Sequence, residues 1–123
     1  MTRIPTPDEA IQKIVAEYPR FDTEAYEFVV EAMEAAFSEW SAKHADMKMP
    51  SKQLVVALQR LASERFGKCV TATFNLWGIT SWQDFAEIVS RMQEAKAVHF
   101  LDLVFNKEDF RGRGVLDDVF PEI

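Results

Sequence analysis

The 123-residue chain reads as a mainly α domain: a compact bundle of about five helices with a minor two-stranded β element and a C-terminal tail. Three observations predict this. Apolar residues recur at helical spacing in five segments, those segments are bounded by capping residues, prolines or glycines, and only the run after Ala97 alternates with a strand-like period. Length and pattern together place a single domain over residues 1–105, followed by an acidic, partly ordered tail over residues 106–123.

The first helix opens on Thr6-Pro7-Asp8-Glu9. Thr6 can cap, Pro7 stands at the first helical position where its missing N–H costs little, and Glu9 completes a capping box. Ala10, Ile11, Ile14, Val15 and Tyr18 form its apolar face, and Pro19 stops it. Asp22 or Thr23 can cap the second and longest helix, with Phe21 able to staple onto Tyr26. Ala25, Phe28, Val29, Ala32, Met33, Ala36, Phe37 and Trp40 give it a continuous buried stripe. Glu24, Glu27, Glu31, Glu34 and Glu39 occupy the remainder, read as a solvated face, with an acidic surface for a basic partner as the functional alternative.

Ser51 is placed as the cap of a third helix carrying Leu54, Val55, Leu58, Leu61, Ala62 and Phe66, which Gly67 ends. Val70, Thr73, Phe74 and Trp77 make a short fourth helix closed by Gly78, and Ile79 is a core plug after the turn. Ser81 can cap a fifth, with Asp84 favourable to its dipole and Phe85, Ile88, Val89 and Met92 on its buried side. Residues 97–105 then read as a strand, whose backbone groups need a partner. The segment Asp46-Met47-Lys48-Met49-Pro50 is the candidate.

Segments along most of the chain resemble one known family. They are Phe21-Asp22-Thr23-Glu24-Ala25-Tyr26-Glu27-Phe28-Val29, Phe66-Gly67, Trp77-Gly78-Ile79, Asp84-Phe85-Ala86-Glu87-Ile88-Val89 and Glu108-Asp109-Phe110-Arg111-Gly112. Their order and content are similar to the Minf-type family of small uncharacterised bacterial proteins. The family commonly has a glycine after the last core helix, where this chain has Lys96-Ala97-Val98. The resemblance implies a bacterial, cytoplasmic protein and no substrate.

Composition narrows the function classes. The net charge is −6, but residues 51–96 hold six Lys/Arg against four Asp/Glu, so the acidity lies in the flanking blocks. An acidic surface argues against phosphate-backbone binding, which needs clustered cations. No apolar run approaches a membrane span, no secretory signal is seen, and a single cysteine fits a reducing cytoplasm. His44 and His99 are far apart and Cys69 stands alone, so no metal or other cofactor is expected. Cys69 itself reads as a small buried hydrophobe rather than a nucleophile.

Arg111-Gly112-Arg113-Gly114 lacks the third glycine and the strand-to-helix setting of a dinucleotide site. The carboxylate pairs Asp84/Glu87 and Asp117/Asp118 read as solvated positions rather than a hydrolase pair. Three helices followed by a strand follow winged-helix order, yet the third helix offers no basic run. The remaining lead is Trp82, placed at the first turn of its helix and partly exposed, or else packed under the tail against Phe110 or Phe120. Trp82, Phe110, Arg111 and Phe120 are therefore the expected interaction surface. The favoured function is a non-enzymatic protein-interaction or adaptor domain, possible self-association included; the alternative is a winged-helix-like nucleic-acid binder, and a small-molecule enzyme comes third.

Overall fold

A computed structural model describes residues 6–45, 47–97 and 100–110. Its order is α1 (Pro7–Glu17), α2 (Thr23–Lys43), β1 (Met49–Pro50), α3 (Ser51–Phe66), α4 (Val70–Leu76), α5 (Trp82–Glu94) and β2 (Leu103–Val104), with 3-10 turns at Gly67–Cys69, Phe100–Asp102 and Lys107–Phe110. The mainly helical bundle with one small sheet is as the periodicity predicts.

Local chemistry sets most boundaries. At α1 the box is complete: Glu9 N donates to Thr6 Oγ1 at 3.2 Å and Thr6 N to Glu9 Oε1 at 2.9 Å. Asp22 caps α2 by accepting from Glu24 N at 3.0 Å, and the Phe21 ring meets Tyr26 edge-on at 6.3 Å. Ala25, Tyr26, Val29, Ala32 and Met33 are wholly buried, because α2 is the central helix, touching α1, α3 and α5. Phe28 is the hub of an aromatic cluster, with Phe66, Phe74, Trp77 and Phe85 at 5.7, 5.6, 5.5 and 6.3 Å.

Ser51 does not cap α3. Pro50 is the N-cap, with no side-chain cap bond, since β1 runs straight into the helix. Fully buried, Ser51 instead donates to Asp109 Oδ2 at 2.7 Å and accepts from Asn106 N at 2.9 Å. It thereby ties the Lys107–Phe110 turn to the start of α3. That turn packs on α3 and α5 and buries Phe110, so the packed body runs past residue 105. Cys69 is exposed, contrary to the buried placement, because the 3-10 turn between α3 and α4 buries none of its residues.

Within the expected strand over residues 97–105, Phe100–Asp102 is a 3-10 turn and Leu103–Val104 a strand, while residues 98 and 99 lie outside the described residues. That strand pairs in parallel with β1, Met49 beside Leu103 and Pro50 beside Val104, so the expected partner segment is the observed one; Asp46 lies outside the described residues. Gln93 braces this turn and strand. Its Nε2 donates to Phe100 O and Leu103 O, both at 3.0 Å. Lys96, where the family resemblance would have glycine, holds φ 58 as the chain leaves α5.

Candidate functional site

The α1–α2 turn is pinned onto the α4–α5 turn by backbone contact. Asp22 N donates to Trp77 O at 3.1 Å, and Gly78, at φ 88, lets the Arg20 carbonyl approach closely; a Cβ there would stand 2.9 Å from that oxygen. This docking aims the Arg20 side chain along α5. Its Nη2 donates to Asp84 Oδ1 at 2.9 Å and its Nη1 to Glu87 Oε1 at 2.7 Å. Glu87 Oε2 accepts from Arg91 Nη2 at 3.3 Å, one turn further along the helix. Arg91 in turn lies over the Tyr18 ring, 3.6 Å from its centroid.

Asp84 is buried and both its oxygens are engaged, for Oδ2 accepts from Thr80 N at 2.8 Å and Ser81 N at 3.3 Å. The carboxylate is thus a helix cap and an ion-pair partner together. Burial by itself lowers the Arg91 pKa, but Glu87 and Tyr18 more than offset that, so it is raised and the guanidinium stays charged. Beneath the network the Tyr26 hydroxyl and Arg91 Nε are buried with no hydrogen-bond partner among the described residues. Burial pushes the Tyr26 pKa up, against a smaller opposing pull from Arg91.

Arg20, Asp84, Glu87 and Arg91 belong to an open groove of about 1000 Å³, running from Thr80 and Ser81 past Ser90 and Glu94 to Phe105 and Lys107. Its walls carry Asp84, Glu87, Glu94 and Glu108 against Arg20, Arg91 and Lys107, so charge alternates along it with no net cationic track. A smaller groove of about 260 Å³ lies between α2 and α3, lined by Trp40, Lys43, His44, Gln53, Val56 and Arg60. There Trp40 stacks on His44 at 4.0 Å, and Arg60 Nη2 donates to Glu39 Oε2 at 2.7 Å. That bond holds the exposed Glu39 carboxyl below its ordinary pKa.

Two of the four residues expected at the interaction surface are buried. Trp82 is 2% exposed, its ring 5.4 Å from Phe85, because the first turn of α5 faces inward over the bundle. Phe110 is 1% exposed, its ring 5.8 Å from Phe105. Arg111 and Phe120 lie outside the described residues. The groove along α5 adjoins that corner of the molecule but is made by other side chains. Arg20 carries no sequence signal, since its partners are more than sixty residues away.

Among the described residues, no three His, Cys, Asp or Glu side chains stand close enough to hold a metal ion, and no helix is long and apolar enough to cross a membrane. Comparison with family models, with characterised proteins and with solved structures returns no match to this chain.

Proposed function

We propose that the chain is a non-enzymatic protein-interaction domain that seats a polar, charge-bearing segment of a protein partner in the groove along α5. The observation that carries this reading is the groove itself, about 1000 Å³ and open, with its Arg20, Glu87 and Arg91 side chains already held by one another. A pre-ordered charged wall loses little side-chain freedom on binding and selects partners by charge register rather than by apolar area. We take the protein to be bacterial and cytoplasmic, on the resemblance to the Minf-type family, whose membership is part of the same proposal.

The order α3, α4, α5 and β2 keeps a nucleic-acid binder as the second reading. Against it stand Glu87 and Glu94, which would face the phosphates if α5 entered a groove.

The test is affinity capture on immobilised wild-type chain and on the variant Ser90→Arg/Glu94→Arg, with melting temperatures measured for both. A protein retained by the wild type and lost by the equally stable variant supports the reading. Equal retention by both, or none by either, overturns it. Capture of nucleic acid that weakens steeply with added salt would transfer support to the second reading.

A further inference from the structure

The charged wall of the α5 groove leaves two buried donors without an acceptor among the described residues. Arg20 and Arg91 converge on one partly exposed carboxylate, Arg20 Nη1 donating to Glu87 Oε1 at 2.7 Å and Arg91 Nη2 to Glu87 Oε2 at 3.3 Å. Beneath them Tyr26, wholly buried on α2, has Arg91, Glu87 and Arg20 as its charged neighbours. The two unused donors are its hydroxyl and Arg91 Nε. A buried donor without an acceptor costs free energy, so the cluster favours a further acceptor brought within reach.

Charge selects the class of that acceptor. Arg20 and Arg91 bring two positive charges, and Asp84, bound to Arg20 and to the start of α5, returns one negative. One more negative charge balances the cluster, and Glu87 supplies it. A carboxylate matches that balance, whereas a phosphate dianion exceeds it. Glu87 is fixed to α5 and meets one Nη of each arginine, but neither Arg91 Nε nor the Tyr26 hydroxyl. A carboxylate carried by a partner has no such tether. It can accept along the edge of a guanidinium that includes Nε.

We propose that the α5 groove recognises a carboxylate of its partner between Arg20 and Arg91, with Arg91 Nε and the Tyr26 hydroxyl as added donors, and that Glu87 holds this place as a tethered competitor. The proposal rests on the α5 groove being the binding site. A tethered competitor acts at high effective concentration, so it screens out stray anions and yields to a partner held along the rest of the groove.

The full chain tests it, with the Arg91 Nε–H followed by NMR. The probe is the amide of N-acetylaspartic acid, with N-acetylasparagine amide as its uncharged control. The expected result is downfield movement of that proton with the aspartate probe, and an affinity raised about tenfold or more by Glu87→Gln. Glu94→Gln removes another carboxylate of the groove and is expected to change the affinity by about twofold at most, since salt screens exposed charges. Adding Tyr26→Phe to Glu87→Gln is expected to cost about tenfold, with the fold unchanged in its spectrum. The proposal is overturned by an unmoved Nε–H in Glu87→Gln, by equal movement with the asparagine probe, or by tighter binding of inorganic phosphate. Equal gains from Glu94→Gln and Glu87→Gln, or an affinity indifferent to Tyr26→Phe, overturn it too. The groove reading falls separately, when affinity capture is indifferent to Ser90→Arg/Glu94→Arg.

Discussion

Arg20 Nη2 lies 2.9 Å from Asp84 Oδ1, joining two turns 64 residues apart, while the other oxygen of that carboxylate caps α5. The two partners are unequal. Asp84 is 7% exposed at its side chain and serves the helix as well as the pair; Arg20 is 56% exposed. Asp84→Ala is expected to cost about 2–3 kcal/mol through the lost cap and the unpaired buried N–H groups. Arg20→Ala is expected to cost about 1 kcal/mol or less, because solvent screens its half of the pair. Urea unfolding of both variants checks this, and equal losses would show that Asp84 acts only as an ion-pair partner.

The same docking makes Gly78 the less replaceable of the two positive-φ glycines among the described residues. At Gly78 an added Cβ meets the Arg20 carbonyl at 2.9 Å, a backbone atom that cannot step aside alone, whereas nothing lies within 4 Å at Gly67. Gly67→Ala carries the conformational penalty only, about 1–3 kcal/mol, since φ 49 with ψ −119 lies outside the left-handed helical well. Gly78→Ala adds displacement of the α1–α2 turn, for about 2–4 kcal/mol in total. Thermal unfolding should rank them in that order.

Lys96 presents the opposite opportunity. A side chain at φ 58 is strained relative to glycine, and the residue is exposed at the end of α5. Lys96→Gly is expected to raise stability by about 0.5–1 kcal/mol. A fall in melting temperature would show that the lysine makes a compensating contact.

Ser51 separates a capping role from a tethering one. A cap would accept Asp in its place. A tether hydrogen-bonded to the Asp109 carboxylate would not, since the substitution sets two carboxylates together in a buried site. Ser51→Ala is expected to cost about 1–3 kcal/mol, and Ser51→Asp more, measured by chemical denaturation; a stabilising Asp would restore the capping role.

Tyr26 supplies a pH test. Its folded pKa is raised above the ordinary 10.0, chiefly by burial, so folding favours the neutral phenol. Its contribution is complete below the unfolded value and is lost as pH rises through the folded one. Tyr26→Phe should therefore flatten the alkaline decline in stability. At neutral pH it should be neutral or stabilising by about 1 kcal/mol, because the hydroxyl has no partner to lose. Destabilisation at neutral pH would mean that the hydroxyl is hydrogen-bonded in solution.

What the sequence determined by itself is what neighbouring residues decide among themselves. Thr6 with Glu9, Asp22 with Glu24, and Phe21 with Tyr26 are all within five positions, and each forms as its spacing predicts. Helical periodicity likewise placed the five helices, since a buried stripe repeats over many turns. Tertiary structure decided everything that depends on a distant partner. Trp82 reads from the sequence as either partly exposed or packed under the tail, because nothing local shows that α5 turns this face inward. Ser51 looked like a cap because Asp109, 58 residues away, is invisible from its neighbourhood. Strands of two residues have no period to read, and β2 follows directly on the Phe100–Asp102 turn. The charged groove belongs wholly to this second class, for Arg20 enters it only once Gly78 has let two remote turns meet.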